Sequence, residues 1–337
     1  MMSEGVSVII ACYNSEKVIS KTLEYLQAQK NYDNIPWEVI LVDNNSTDKT
    51  SAVAKAIWDK NPIVPLRILL ETKVGEANAR RTGIIAAQYG ILSIVDDDNW
   101  VAEDWIYKID KYFQNPEIGL LGCAGEGVYE ETPPEWFEDN KNAFAIGSLY
   151  EGDFVDITEW AFVPGAGLSV RKLIYDYLFE NNWKPLLEGR VGNTQSAGAD
   201  SEMCLITRHL GYKIFYSNDL HFKHFTAKNR ITWERLKNMT QGFGESDVFT
   251  LPYKILYYDR CCKSSIFNSF RRFWWFNYFA KKVALFIKDP LPFIRKGKYD
   301  PKILIRIRNK AFTNRIWKER KKFESSFEIL DQIKRLK

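Results

Sequence analysis

The sequence has little of what would mark a secreted, metal-finger or membrane-spanning protein. Its five cysteines are an odd number without metal-ligand spacing, which favours a reducing compartment over a disulfide framework. The N-terminus leads into a strand-like segment with neither a basic region nor an apolar core, so we expect no signal peptide. In the most apolar stretch, residues 264–288, Lys281 and Lys282 interrupt the run before the ~20 residues of a transmembrane helix, so we expect no membrane span.

Two missing loops exclude common classes of nucleotide-binding protein. The sequence contains no Walker A segment, which argues against a P-loop NTPase. The first apolar run is followed by Cys12, Tyr13 and Asn14 instead of a glycine-rich dinucleotide loop, which argues against a Rossmann dehydrogenase.

The composition is that of a globular protein with an uneven distribution of charge. Hydrophobic residues make up 45% and charged residues 27% of the sequence, and its 337 positions are enough for one large α/β domain with an appendage or for two modest domains. Residues 226–337 contain 27 Lys/Arg and 10 Asp/Glu, which leaves 20 basic and 33 acidic residues in 1–225. The net charges are therefore +17 and −13. Such a split indicates two functional regions, the basic one facing a polyanion such as nucleic acid or anionic lipid.

Four short apolar runs alternate with helical patterns in the first hundred residues. The runs are 6–11, 37–42, 66–70 and 91–95, and the helical stretches are about 16–29, 47–60 and 76–89. Strand and helix alternating at ~30-residue spacing predict βαβ units and a parallel sheet. Ligands of such sheets bind outside the carboxyl ends of the strands, so the residues that follow each run are the candidate site.

Polar or acidic residues follow three of these runs, and Tyr13 and Asn14 follow the first. Asp43, Asn44 and Asn45 follow the second, and Asp96, Asp97 and Asp98 follow the fourth. A solvated acidic turn would explain the three aspartates taken alone. Adjacent carboxylates repel each other unless a cation neutralises them, and oxygen ligands favour Mg²⁺ or Mn²⁺. A divalent ion that also binds a diphosphate would therefore explain the cluster.

Six segments, taken in order, resemble the motifs of family 2 glycosyltransferases. They are Val6–Asn14, Val42–Asp48, Gly75–Gly83, Asp96–Asp98, Gly198–Leu205 and Asp219–His224. The resemblance covers about residues 5–225. It implies an α/β protein of the GT-A fold, with a Rossmann-like, mostly parallel sheet flanked by helices, followed by a basic helical extension. The implied activity is transfer of a sugar from a nucleotide-sugar with inversion at the anomeric carbon.

The resemblance implies a role for each matching residue. Asp200 would be the general base that deprotonates the acceptor hydroxyl. Asp98 and His224 would hold Mn²⁺ or Mg²⁺, with His221 as a nearby competitor. The residues implied to contact the nucleotide-sugar are Ala11, Tyr13, Asp43, Asn44, Arg80, Asp96 and Asp97. Among these, Tyr13 would stack on the base, Asp43 and Asn44 would hold base and ribose, and Arg80 would lie near the diphosphate.

Several of these residues have other interpretations. Asp200 precedes a helical pattern and would also suit a helix N-cap. Glu202 is a second candidate base or a ligand of acceptor hydroxyls. Trp136 suits the face of an acceptor sugar, as does Trp160, and both would equally suit a core. Asn44 stands where the family often has Asp, so the expected UDP-sugar has GDP- and dTDP-sugars as alternatives.

We expect two regions: a catalytic domain over 1–225, with a nucleotide-sugar half at about 1–105 and an acceptor half at about 106–225, and a basic extension over 226–337. The segment 264–288 arranges five cations on one helical arc and apolar residues on the other, as in a helix lying in an anionic membrane interface. A helix packed on the catalytic domain is the alternative. No nucleic-acid module accompanies the charge, so we expect no nucleic-acid partner.

These expectations combine into one functional hypothesis. The protein would transfer a sugar onto a glycan or lipid-linked acceptor on the cytoplasmic face of the membrane. Transfer of a single sugar is favoured because the Gln-x-x-Arg-Trp motif usual in processive synthases is missing. A metal-dependent sugar nucleotidyltransferase is one alternative, although it should carry a Gly/Arg/Lys-rich loop after the first strand. A non-catalytic carbohydrate-binding protein is another, although it would not need the three aspartates together with Asp200.

Overall fold

A computed structural model describes residues 5–30, 32–187, 198–261, 266–288, 297 and 299–336. The chain divides into two compact units, one of residues 1–184 with 212–228 and the other of residues 185–211 with 229–337. Residues 185–211, which the sequence pattern places in the acceptor half, lie in the same unit as the C-terminal helices.

The first half of the first unit alternates strands and helices as the sequence predicts. The strands are β1 (Val6–Cys12), β2 (Trp37–Asp43), β3 (Leu66–Leu70) and β4 (Ile91–Asp96), and the helices are α1 (Ile19–Gln27), α2 (Thr50–Trp58) and α3 (Glu76–Ala86). β1 lies between β2 and β4, and β3 pairs with β2, all in parallel. β1 and β2 are buried along nearly their whole length, as is usual for parallel strands covered on both faces.

The second half of the unit extends the same sheet with mixed pairings. Its elements are β5 (Asn99–Val101), α4 (Trp105–Phe113), β6 (Ile118–Tyr129), a 3-10 helix (Glu135–Phe144), β7 (Phe154–Asp156), β8 (Ser169–Arg171), α5 (Lys172–Glu180) and β9 (Lys213–Thr226), and a short 3-10 turn follows at Lys228–Arg230. The described residues form a nine-stranded sheet in the order β3-β2-β1-β4-β8-β6-β9-β5, with β7 also paired to β9. β6 and β9 are parallel, whereas β8, β5 and β7 run antiparallel to their neighbours.

A glycine brings α3 close to the sheet. A Cβ at Gly83 would lie 2.6 Å from Cγ2 of Ile9, closer than packed atoms can approach, so only glycine permits this contact. The close approach of α3 to β1 carries Arg80, three residues earlier on the helix, toward the carboxyl ends of the strands.

The second unit is helical. Its helices are α6 (Ala199–His209), α7 (Trp233–Cys261), α8 (Ile266–Arg271), α9 (Trp274–Lys288), α10 (Pro301–Lys318) and α11 (Arg320–Asp331). α7 packs closely on α10, because a Cβ at Gly244 would lie 2.2 Å from the carbonyl oxygen of Arg308. The predicted α/β class and the C-terminal helical extension are confirmed. In the part of the chain that the structure describes, no helix has the combined length and apolar character needed to cross a bilayer.

Candidate active site

Three parallel strands end side by side at one edge of the sheet. Cys12 is paired with Asp43, and Ala11 is paired with both Val42 and Asp96. The turns after β1, β2 and β4 therefore meet at this edge, as the sequence predicts. Ala11 is half-buried, whereas Tyr13 is 56% exposed and so is accessible to a ligand.

The three consecutive aspartates point to three different partners. Asp96 Oδ1 lies 3.2 Å from Arg80 Nη2, and the carboxylate of Asp97 accepts a hydrogen bond from the Ser15 hydroxyl. Asp98 Oδ1 lies 3.4 Å from His224 Nε2. The sequence suggests that a divalent cation explains this acidic cluster, and in the structure a guanidinium contacts Asp96 while a hydroxyl group bonds to Asp97. Of the three, Asp98 is the aspartate that lies beside a histidine, a second potential metal ligand.

Arg80 is held between two carboxylates. Its Nη2 lies 2.6 Å from Glu76 Oε1 as well as contacting Asp96. Burial raises the pKa of Asp96, with Glu76 and Asp98 contributing, while the guanidinium of Arg80 opposes this shift. The neighbouring Arg81 instead stacks over the ring of Phe179 at 4.3 Å. The structure therefore places Arg80, and not Arg81, at the strand ends.

Pairing between β5 and β9 brings His224 to Asp98. Asn99, the residue after Asp98, pairs with His224, and Gly127 of β6 pairs with His224 from the other side. His221 is exposed, and its Nδ1 lies 3.1 Å from the carbonyl oxygen of Asp219. Of the two candidate histidines, His224 is thus the one next to the aspartates.

Asp98 and His224 offer a divalent metal two ligands from the protein. Among the described residues, no group of three or more His, Cys, Asp or Glu side chains is arranged to hold a metal ion. A buried carboxylate oxygen with an imidazole nitrogen 3.4 Å away nonetheless fits Mn²⁺ or Mg²⁺. Such ions commonly bind one or two protein ligands and complete their shell with substrate phosphates and water.

Asn44 anchors the loop that leads into α3. Its side-chain amide donates to the carbonyl oxygens of Glu71 at 3.1 Å and Lys73 at 2.9 Å, and its Oδ1 accepts from the backbone N–H of Gly75 at 2.7 Å. Both amide hydrogens are committed to the protein, so in this arrangement Asn44 shapes the loop from beneath. Its contact with the base, implied by the resemblance, stays a prediction.

Replacing Asn44 by the Asp common in the family is expected to destabilise this protein. A carboxylate would face two carbonyl oxygens in a buried position, where each lost or repulsive contact costs about 1–3 kcal/mol. We expect Asn44→Asp to lower the free energy of unfolding by about 2–3 kcal/mol, measured by urea denaturation. The exposed Asn61→Asp is the matched control, and equal stabilities of the two variants would contradict the anchoring role.

Several residues that shape the site were not foreseen from the sequence. Ser51 donates from its hydroxyl to Asp43 Oδ2 at 2.5 Å, and the backbone N–H of Ser46 donates to Oδ1 at 2.8 Å. Asn14 adopts a left-handed conformation with φ of 54°, and its Oδ1 accepts from the backbone N–H of Thr47 at 2.8 Å. The sequence feature that could have predicted these bonds is the pair of small polar residues, Asn14 and Ser15, directly after β1, since such side chains often form hydrogen bonds with nearby backbone.

The prediction that Trp136 contacts the acceptor needs correction. Trp136 is 8% exposed, and its ring packs at 6.1 Å, edge to face, against Phe137. The 3-10 helix turns the ring into an aromatic cluster. Trp160, the alternative weighed from the sequence, is 58% exposed and packs at 5.9 Å against Tyr150. Trp160 therefore has the accessible aromatic face.

Asp200 lies in the first turn of α6, in the second unit. Gly198, with φ of 118°, is the N-cap residue, so Asp200 is the second residue of the helix and the N-cap interpretation is wrong. A carboxylate in the first turn interacts favourably with the helix dipole. The side chain is half-buried.

The prediction that Glu202 binds acceptor hydroxyls is also corrected. The residue is 1% exposed, and its carboxylate accepts hydrogen bonds from the backbone N–H groups of Leu186 at 2.7 Å and Leu187 at 2.8 Å. The Tyr253 hydroxyl donates a third bond of 2.7 Å. Burial raises the pKa of Glu202 from 4.5 to about 7, although these bonds oppose the shift. Glu202 is thus an internal anchor of the second unit.

Glu202→Gln is expected to destabilise the protein, because an amide group would face at least one donor that the carboxylate now accepts. We expect a loss of about 1–3 kcal/mol in the free energy of unfolding, with Glu328→Gln at an exposed position as the control. Because the pKa of Glu202 is raised in the folded state, the contribution of this carboxyl group to stability is full below pH 4.5 and is lost as the pH rises through about 7. Denaturation at several pH values should show this decline in the wild type and not in Glu202→Gln.

The fold and the strand-end site define the class of protein. A sheet whose parallel strands end at Tyr13 and Asp43, with Arg80 on α3 contacting Asp96 and His224 on β9 beside Asp98, is consistent with the GT-A fold that the resemblance implies. The sequence model of the family described as Glycosyl transferase family 2 matches residues 7–179, about half of the chain. The chain belongs to this family.

Two of the relatives that match the sequence illustrate the similarity. The glycosyltransferase GlyG of Streptococcus pneumoniae serotype 4 is 35% identical over 187 residues, which cover 54% of this chain and 52% of GlyG. The poly-beta-1,6-N-acetyl-D-glucosamine synthase of Staphylococcus aureus is 31% identical over 119 residues, covering 35% of this chain and 28% of the synthase. The chain thus matches about half the length of the first relative and less of the second.

Two of the solved structures that match this chain illustrate the shared fold. The mannosyltransferase PcManGT from Pyrobaculum calidifontis, in complex with GDP-Man and Mn²⁺, has a TM-score of 0.55 at 18% identity and covers 93% of this chain and 87% of its own. S. aureus TarS 1-349 in complex with UDP-GlcNAc has a TM-score of 0.52 at 13% identity and covers 99% of this chain and 93% of its own. The predicted GT-A fold is confirmed.

Proposed function

We propose that this glycosyltransferase transfers one sugar from a nucleoside-diphosphate sugar to an acceptor hydroxyl, with inversion. The observation that carries the proposal is the convergence of the Asp98–His224 pair with Tyr13, Asp43 and Arg80 at one edge of the sheet. An exposed aromatic ring, a carboxylate held by Ser46 and Ser51, and an arginine suit a base, a ribose and a diphosphate in turn.

The donor that we propose is a UDP-sugar, with GDP- and dTDP-sugars as the alternatives. TarS binds UDP-GlcNAc and PcManGT binds GDP-Man in structures of the same fold, so the fold accommodates either nucleotide. Asn44 supports the loop at 71–75 in this protein, and the backbone of that loop then forms part of the base pocket. The identity of the base would depend on this loop instead of on the Asn44 side chain.

Asp98 and His224 would hold a Mn²⁺ or Mg²⁺ ion. When bound, the ion would stabilise the negative charge of the leaving nucleoside diphosphate. Arg80 lies on the same edge and adds a fixed positive charge, although Glu76 and Asp96 neutralise much of it in this arrangement. An incoming diphosphate would compete with these carboxylates for the guanidinium.

Asp200 would act as the general base. Its carboxylate would take the proton of the acceptor hydroxyl while that oxygen attacks the anomeric carbon and the bond to the diphosphate oxygen breaks. The products would be the glycosylated acceptor and a free nucleoside diphosphate. With Glu202 occupied by Leu186, Leu187 and Tyr253, Asp200 is the better candidate in the first turn of α6.

The acceptor that we propose is a glycan on a lipid carrier, reached by a peripheral protein on the cytoplasmic face of the membrane. The net charge of +17 in residues 226–337 against −13 in residues 1–225 supports this location, because the basic part would be attracted to an anionic leaflet. The polysaccharide synthase among the relatives supports a role in glycan assembly.

A donor screen tests the proposal. The melting temperature would be measured with UDP-, GDP- and dTDP-sugars, each with and without Mn²⁺. A ligand at about 100 times its Kd stabilises the folded state by ~2.7 kcal/mol, so we expect one nucleotide class to raise the melting temperature only when Mn²⁺ is present. If none of the nucleotides shifts the melting temperature, the protein is not a transferase that uses these donors.

A further inference from the structure

Helix α9 packs on its neighbour through its more polar side. The ring of Trp274 lies 5.2 Å from the ring of Trp317 on α10, and the ring of Tyr278 lies 5.7 Å from the same ring. Lys281 continues this face, with its Nζ 5.2 Å from the centre of the Phe312 ring. Lys281, which the sequence assigns to a solvent-facing basic arc, is therefore turned toward the protein.

The opposite side of α9 is an exposed apolar stripe. Its members are between 41% and 72% exposed, and they are Trp275, Phe279, Val283, Phe286 and Ile287. Positions separated by four, eight, eleven and twelve residues lie along one face of a helix. A helix that packs on a globular protein usually turns such a face inward. A contiguous exposed apolar patch on a folded protein marks a surface that is covered by something else.

We propose that this stripe inserts into the surface of an anionic lipid bilayer. Aromatic side chains on one face of a helix, with lysine at its border, are the features of a helix that lies in a membrane interface. Lys282 is exposed beside the stripe. The inference deepens the membrane location proposed above and rests on it, and it identifies the side chains that make the contact.

Charge favours a bilayer over a second copy of the chain as the occupant. Residues 226–337 carry a net charge of +17, so two copies that met through α9 would bring two strongly basic regions together. An anionic leaflet has the opposite charge, and each Lys or Arg near its surface adds to the attraction. The apolar stripe and the surrounding charge thus select the same partner.

Vesicle flotation of the full chain tests the inference. The probes are phosphatidylcholine vesicles with and without phosphatidylglycerol, and the variant is Phe279→Ser with Phe286→Ser, which leaves the net charge unchanged. Burying one aromatic side chain is worth a factor of ten or more in an equilibrium, so the double variant should lower partitioning into anionic vesicles at least about tenfold. Ile63→Ser with Ile85→Ser, two exposed aliphatic residues of the first unit, is the matched control and should float like the wild type.

Two results with the Phe279/Phe286 variant would overturn the inference. One is flotation of the Phe279/Phe286 variant at the wild-type level. The other is a dimer in sedimentation that the same variant dissolves, without vesicle binding by the wild type, since α9 would then be a self-association surface. Melting temperatures check that each variant folds. Wild-type protein that floats without turning over any nucleotide-sugar would leave the inference and the membrane location standing and remove the proposed transfer reaction. Turnover without flotation would overturn the inference and the membrane location and leave the transfer reaction standing.

Discussion

Asp98→Asn is expected to reduce sugar transfer and donor hydrolysis by about 10³-fold or more. Of the three consecutive aspartates, Asp98 is the one paired with His224, at 3.4 Å. Loss of the Asp98 charge would weaken the binding of an ion that stabilises the leaving group by several kcal/mol. A loss of ~4 kcal/mol in transition-state stabilisation corresponds to a rate about 10³-fold lower. Rates with a fixed donor and Mn²⁺, compared with those in EDTA, provide the measurement.

The control for this prediction is Asp59→Asn, the same chemical change on an exposed residue that pairs with Lys55 on the surface of α2. It should leave the rate unchanged. Asp98→Asn should keep the wild-type melting temperature to within a few degrees, because the side chain keeps its size and shape. Undiminished activity of the wild type in EDTA would show that no metal takes part, and the role assigned to the Asp98–His224 pair would fail.

Asp200→Asn is expected to lower kcat by ~10²–10⁴-fold, the usual contribution of a general base, with little change in the affinity for the donor. An amide cannot take the proton of the acceptor hydroxyl, whereas it preserves the shape of the residue. Single-turnover transfer gives the rate of the chemical step, and nucleotide titration gives donor affinity. A variant that only melts at a lower temperature would identify Asp200 as a structural residue of α6.

Glu202→Gln serves as the comparison, since it alters a neighbouring carboxylate in the same turn of α6. We expect it to act on stability through the bonds to Leu186, Leu187 and Tyr253, whereas Asp200→Asn should act on rate. The anomeric configuration of the product, determined by NMR, tests the mechanism independently. A retained configuration would exclude a single displacement.

The local pattern of the chain was sufficient to predict the parallel half of the sheet. Runs of buried β-branched and aliphatic residues at β1, β2 and β4 alternate with helical segments. This alternation can be recognised from residues that are close together in the sequence. The parallel arrangement then places Tyr13, Asp43 and Asp96 at one edge, because the carboxyl ends of parallel strands lie together. These three positions needed no long-range information.

Other features depended on side-chain contacts between distant segments. The amide of Asn44 is used by the loop at 71–75, and the carboxylate of Glu202 is used by Leu186, Leu187 and Tyr253. The sequence shows that a polar residue is present, but it does not show with which group that residue forms its hydrogen bonds. Buried polar groups in proteins nearly always form hydrogen bonds. Asn44 and Glu202, which were predicted to bind substrate, form theirs with the protein itself.

The sequence by itself determined the α/β class, the family and the strand ends that carry the site, because hydrophobic periodicity and motif order are properties of neighbouring residues. Only the tertiary structure decided that His224, and not His221, lies beside Asp98, through the pairing of β5 with β9, and which of the two tryptophans is exposed. It also decided the orientation of α9, whose sequence has two usable faces. The rings of Trp317 and Phe312 on α10 pack against Trp274, Tyr278 and Lys281, and this contact leaves the apolar stripe on the outside.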